Sequence, residues 1–219
     1  MNSEQHTDAI TSDIACLRTR RLPATLISTR GFHCHVWQAS LPPTGERERL
    51  EVIIKKAHGR VSWNETRALQ REYDRIKAAL GDIVPETHYV HTRVDGQPGV
   101  IVLAQVIKPW FDLANPGNEE ESLSLLRLWP GAGRQFRRFV DVATAWAQDD
   151  LLIDLTGDTN LVLDRDRAVR FIDSFRVFFY VDMLHVIDDV DREFEGRIDL
   201  CCRRLAYLQR LSRRIEEAP

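Results

Sequence analysis

The chain has 219 residues, of which 43% are hydrophobic and 29% charged, with a formal net charge of −3. That is enough chain for one large domain or two small lobes around a buried core, in the composition range of ordinary soluble globular proteins. The charge balance argues against a general nucleic-acid binder, and no run of about 18 apolar residues is present to span a bilayer. The polar beginning, Met1 to Asp13, has no apolar leader core. Cys16, Cys34, Cys201 and Cys202 show no CxxC spacing, so reduced thiols in a cytoplasm are expected. Basic residues are almost all arginine, with lysine only at 55, 56, 77 and 108.

Residues 1–20 lack an apolar period and read as a loosely held arm. Ala24 to Ser40 reads as two strands, ATLIST and HVWQAS, joined at Arg30-Gly31-Phe32. Leu50 to Lys55 alternates, with Leu50, Val52 and Ile54 on one face and Glu51, Ile53 and Lys55 on the other. Ser62-Trp63-Asn64-Glu65 is a capping box. It opens a helix with Leu69, Tyr73, Ile76 and Leu80 on one stripe, and Gly81 stops it. Glu72 flanks that stripe without a capping role.

Thr87 to Arg93 and Val100 to Ile107 read as strands linked through Asp95-Gly96 and Pro98-Gly99. The acidic run Glu119 to Glu121 leads into a short helix and reads as a solvated face. Pro130-Gly131-Ala132-Gly133 breaks the chain again. Phe136, Val140, Val142, Ala143 and Trp146 then mark a helix. Next comes the stretch that carries most information, Leu152 to Phe175. Two apolar segments, Leu161 to Leu163 and Val169 to Ile172, flank the charged turn Asp164 to Arg167 as in a β-hairpin. Asn160 stands before the first strand, Asp173 after the second, and Asp154 closes an upstream apolar run. Three oxygen-bearing side chains thus stand at one end of a rigid element, the kind of site Mg²⁺ shares with substrate phosphates. A last helix has the stripe Ile198, Cys201, Leu205, Leu208, Leu211 and Ile215, with arginines opposite that read as solvated.

This order of elements, with these residues at these places, resembles the protein-kinase-like fold. The resemblance covers roughly residues 24–185 in order of elements, with residue matches in five short segments. Val52 to Lys56 is similar to the family's Val-Ala-Ile-Lys strand, and Arg71 to Ile76 to its N-lobe helix. Lys55 would then hold the nucleotide α/β-phosphates and Glu72, seventeen residues on, would pair with it. Thr29 to Val36 aligns with the phosphate-covering loop, although only Gly31 of its three glycines is kept. Asp154 takes the place of the catalytic aspartate and Asn160 that of the metal-binding asparagine. Phe171 to Phe175 corresponds to Asp-Phe-Gly, with Asp173 as principal metal ligand thirteen residues after Asn160. Departures accompany the match. Five residues rather than four separate Asp154 from Asn160, so the loop must bulge, and Asp158 rivals Asp154 as base. Ser174 and Phe175 replace Phe and Gly, and forty-six residues after Asp173 leave a reduced C-lobe.

The resemblance implies an α+β, two-lobed fold. An arm (1–20) precedes an antiparallel-sheet N-lobe with one helix (21–107) and a mainly helical C-lobe (108–219). It further implies an ATP-dependent phosphotransferase using Mg²⁺, with Mn²⁺ as alternative, acting on a hydroxyl of a protein or a small molecule. Gly31, Val36, Ile53, Lys55, Gln105, Val106 and Ile107 would contact ATP. A pseudokinase binding module is the competing expectation. Each residue also has a plain reading: Lys55 as an edge-strand charge, Glu72 as a surface partner of Arg75, Asn160 and Asp173 as turn and strand-end residues. His33 and His35 read as loop or surface residues rather than metal ligands.

Overall fold

The computed structural model describes residues 10, 12–17, 22–28, 34–41, 50–157, 159–181 and 192–217. The chain is α+β, with a five-stranded antiparallel sheet and four α-helices among the described residues. Two compact units divide it: 1–71 with 86–106, and 72–85 with 107–219. Among the described residues no helix is long and apolar enough to cross a membrane.

The first unit holds strands β1 (Ala24–Ser28), β2 (Cys34–Leu41), β3 (Leu50–Ala57), β4 (Thr87–Val94) and β5 (Gln97–Gln105), in the order β1-β2-β3-β5-β4. Period-two alternation places Trp37, Ala39, Val52, Ile54 and Ile101 in one core. Ile10, Ile14 and Leu22 complete that core. Ile14 bridges to Val94, Ala15 N–H donates to Arg93 O at 3.0 Å, and Asp95 N–H donates to Asp13 O at 2.8 Å. The stretch read as a loose arm therefore contains a packed segment. Its few isoleucines show no period in sequence, yet each stabilises by about 1.5–3 kcal/mol when fully buried. The β4–β5 hairpin turns on Asp95 and Gly96 alone, with φ of 51° and 77°. Two successive positive φ values make this a type I′ turn. Pro98 and Gly99 belong instead to β5, opposite Arg93 and Thr92. Proline is tolerated there because the β3 ladder starts only at Ile101.

Helix α1 (Trp63–Leu80) starts as its sequence dictates. Ser62 N–H donates to Glu65 Oε2 at 2.7 Å, and Glu65 N–H donates back to Ser62 Oγ at 3.2 Å. Tyr73, Ile76 and Leu80 are buried.

The second unit contains β6 (Pro109–Asp112), α2 (Glu119–Leu128), α3 (Pro130–Gln148), β7 (Leu151–Ile153), β8 (Leu161–Asp164), β9 (Val169–Phe171), β10 (Phe178–Tyr180) and α4 (Arg192–Glu216). Strands β6-β8-β9 form one sheet and β7-β10 another. Pro130 to Gly133 is the first turn of α3 rather than a loop, with Pro130 where a missing N–H costs no bond. Ile198, Cys201, Leu205, Leu208 and Leu211 of α4 are buried as the stripe requires. The acidic run keeps its solvated face, with Glu120 and Glu121 exposed, and Arg214 pairs there with Glu119 at 2.7 Å and Glu120 at 2.8 Å. Sequence separation hid that partnership.

The reciprocal bonds at Ser62 give a direct expectation. Ser62→Ala will lower unfolding free energy by about 1 kcal/mol, read as a lower urea midpoint at unchanged m-value.

Candidate functional site

Lys55 is in β3, the central strand of its sheet, so the edge-strand reading is set aside. Its cross-strand partners are Val36 on β2 and Val102 on β5. Ile53 lies two residues earlier and therefore on the same face. Val36, Ile53 and Lys55, all expected at a nucleotide, thus share one sheet face, with Val102 opposite the lysine on β5. Lys56 points to the opposite face, where Nζ donates to Ser12 Oγ at 2.7 Å. Gln105 ends β5, its N–H donating to Glu86 O at 2.8 Å, and Val106 and Ile107 follow it, both half-buried. Gly31 and His33 lie outside the described residues. His35 packs edge-on against His58 at 4.7 Å, and burial, together with the charges of His58 and Lys56, lowers its pKa.

The hairpin of the second unit is built as its sequence suggests. Leu161 faces Phe171, Val162 faces Arg170 and Leu163 faces Val169. All of these except Arg170 are fully buried. The turn is pinned by the buried Asp164, whose Oδ1 accepts from the amides of Asp166 and Ala168, both at 2.9 Å. Its Oδ2 pairs with Arg170 Nε at 2.8 Å. A short charged turn and two apolar strands therefore make a rigid stalk, and Asn160 and Asp173 stand at its open end.

At that end Ile172 N–H donates to Asn160 O at 2.9 Å. This bond continues the register and brings the next residue, Asp173, beside Asn160. Asn160 Nδ2 donates to Asp173 Oδ2 at 3.2 Å and to the backbone oxygen of Asp154 at 3.3 Å. Asp173 Oδ1 accepts from Ser174 N at 2.6 Å and from Phe175 N at 3.2 Å. Ser174 and Phe175 are both buried. The structure thus brings Asp154, Asn160 and Asp173 together through one carboxamide.

The Asp154 carboxylate is turned away from this mouth. It is only 2% exposed. Oδ1 accepts from Thr156 N at 2.7 Å and Thr156 Oγ1 at 2.6 Å, while Oδ2 pairs with Arg197 at 3.1 Å. Between Asp154 and Asn160 the backbone turns left-handed at Thr159, with φ of 70°. For a β-branched residue that conformation is strained, and it is where the loop between β7 and β8 turns toward Asn160. Asp158 lies outside the described residues.

Sequence reasoning missed Gly157. A Cβ on it would overlap the Asn160 carboxamide, 2.7 Å from Cγ and 2.8 Å from Nδ2. Glycine is needed because the amide of Asn160 packs on its Cα. The signal was available as a glycine within the aspartate–asparagine interval.

Glu72 is half-buried in the second unit. Oε1 accepts from the Tyr180 hydroxyl at 3.2 Å, and Oε2 is buried without a hydrogen bond among the described residues. Burial raises its pKa against the opposing pull of the Tyr180 hydroxyl, the Arg176 charge and the Val177 amide. Arg75, the surface partner its sequence position offered, has its guanidinium 5.9 Å from the centres of the Trp146 and Phe178 rings instead.

For a divalent cation, Asp173 offers anionic oxygens and Asn160 a neutral carbonyl. No three His, Cys, Asp or Glu side chains gather as a metal cage among the described residues. One carboxylate and one amide suit Mg²⁺ when water and phosphate supply its other ligands. No protein-family model and no curated protein matches this chain.

Two measurements follow from this geometry. Gly157→Ala displaces Asn160 and will cost about 1–3 kcal/mol of stability, as overpacking does, with amide shifts confined to 154–160 and 172–175 by NMR. Glu72 binds its proton more tightly folded than unfolded, so its contribution is full below the ordinary glutamate value and is lost as pH rises through the folded-state value. Glu72→Gln will therefore gain on wild type as pH climbs through that window in paired urea titrations. A constant difference would mean that burial does not govern this carboxylate.

Proposed function

We propose that the protein is an ATP-dependent phosphotransferase of kinase-like fold that moves the γ-phosphoryl of ATP to a hydroxyl, on a protein. The observation that carries this reading is the Asn160–Asp173 contact at the mouth of a buried hairpin, with the same amide holding the Asp154 backbone. Phosphoryl transfer asks a protein mainly for positioning and charge neutralisation, and a rigid stalk bearing one carboxylate and one amide meets the first need. Lys55, on a central strand between two valines, supports the second.

In this reading Lys55 orients the nucleotide phosphates. Val36 and Ile53 provide an apolar face for the adenine, with backbone groups of Gln105, Val106 and Ile107 at its edge. Asp173 and Asn160 would hold Mg²⁺, which would supply positive charge against the nucleotide phosphates. Asp154 would orient the acceptor hydroxyl only once its carboxylate releases Thr156 and Arg197 and turns toward the mouth.

That last requirement favours a second reading, a pseudokinase that binds nucleotide or a partner without transfer. A carboxylate bound by Thr156 and Arg197 is a structural anchor in such a module.

Mg²⁺-dependent ATP binding is the deciding measurement. A ligand at about a hundredfold over its Kd stabilises by about 2.7 kcal/mol, or about 5–10 °C in Tm for a chain of this size. Wild type will show this shift with ATP and Mg²⁺ together, and Asp173→Ala will lose most of it. Phosphate transfer to itself or to lysate proteins supports the enzyme; binding without transfer supports the pseudokinase. No shift and no transfer would end both nucleotide readings.

A further inference from the structure

Three side chains of α4 lie along one stripe, at 197, 201 and 204, the i, i+4, i+7 positions of one helix face. All three engage the loop between β7 and β8. Arg197 pairs with Asp154 Oδ2 at 3.1 Å. Cys201 Sγ accepts the Leu155 N–H at 3.1 Å and lies 3.9 Å from Asp154 Oδ1. Arg204 NH1 donates to the carbonyls of Leu155 and of Gly157, the latter at 3.0 Å. Leu155 and Gly157 lie outside any strand ladder, so their backbone groups depend on such partners.

We infer that α4 is the brace of this loop, and that Arg204 and Cys201 are positioning residues that act on Asn160 through the backbone of Leu155 and Gly157. Gly157 links the two ends of the argument. Arg204 holds its carbonyl, and its Cα is the surface on which the Asn160 carboxamide packs. A shift of Gly157 therefore moves the amide that reaches Asp173.

The chemistry of each group suits this task. Burial, aided by the Asp154 charge, pushes the Cys201 thiol up to about 12. It stays a neutral thiol at physiological pH, acting as acceptor for an amide rather than as a nucleophile. A guanidinium has several donors in a fixed plane, so Arg204 can serve two carbonyls at once, which the single ammonium of a lysine does less well. Arg197 also lies over the Phe179 ring at 5.1 Å, which holds its guanidinium while it neutralises Asp154.

The consequence for catalysis rests on the phosphotransfer reading, whereas the brace itself does not. The test uses hydrogen–deuterium exchange of the full chain together with Mg²⁺-dependent ATP binding, in wild type, Arg204→Ala, Arg204→Lys and Cys201→Ser. Losing hydrogen bonds from a charged donor should speed exchange in peptides covering 155–160 by about tenfold or more in Arg204→Ala. Exchange in β2, β3 and β5 should stay as in wild type, and Mg²⁺-ATP affinity should fall by a similar factor. Arg204→Lys should show a smaller local effect of the same kind, and it decides the question if Arg204→Ala does not fold. Cys201→Ser keeps an acceptor and should remain near wild type. Unchanged exchange at 155–160, or an equal rise in every peptide, overturns the brace. If wild type binds no ATP, the phosphotransfer reading falls, while the exchange pattern still decides the role of α4.

Discussion

One carboxamide ties the second unit's site together. Asn160 donates to the carboxylate of Asp173 and to the backbone of Asp154, and its own carbonyl receives Ile172 N–H. Three stretches of chain, the end of β7, the start of β8 and the end of β9, are thereby held at one point. The stalk behind them contributes stiffness, because its strands are apolar, short and buried. The loop before them contributes little of its own. It contains a glycine under the amide and a left-handed threonine, and its backbone depends on partners from elsewhere. A site of this type is rigid on the hairpin side and conditional on the loop side.

The two carboxylates Asp154 and Glu72 meet burial in opposite ways. Asp154 is almost wholly enclosed, but Thr156 and Arg197 compensate its charge. Removing one partner of such a buried pair is strongly destabilising, because it leaves an uncompensated charge. Glu72 is enclosed less, yet one of its oxygens has no hydrogen bond among the described residues, and its proton is correspondingly harder to remove. An anion left under-compensated has free energy to gain from a cation. Asp154, so compensated, anchors its loop to α4.

Local rules made much of this legible. Alternation located Lys55 and its apolar face, a capping box located the start of α1, and the charged turn between two apolar runs located the hairpin. The residues at its mouth followed from register. Where the reading went astray, a local rule had two outcomes. Pro98-Gly99 looked like part of a turn but lies in a strand past the end of its neighbour. Pro130 to Gly133 looked like a break but starts a helix, since proline fits the first turn. Ile10 and Ile14 were too sparse to show a period, yet they fill the sheet's core.

The sequence by itself determined most of the elements, the lysine-bearing strand, and the thirteen-residue interval from Asn160 to Asp173, because all of these follow from periodicity and turn chemistry within a short window. Only the tertiary structure decided what the charged groups do. Arg204 read as solvated from its place on the last helix, but it and Arg197 reach a loop more than forty residues away. Asp154 faces that helix rather than the hairpin mouth, and Gly157 matters because an amide three residues on lies against it. Hydrophobic pattern is written in neighbouring residues; the partners of buried polar groups are set by which segments the fold brings together.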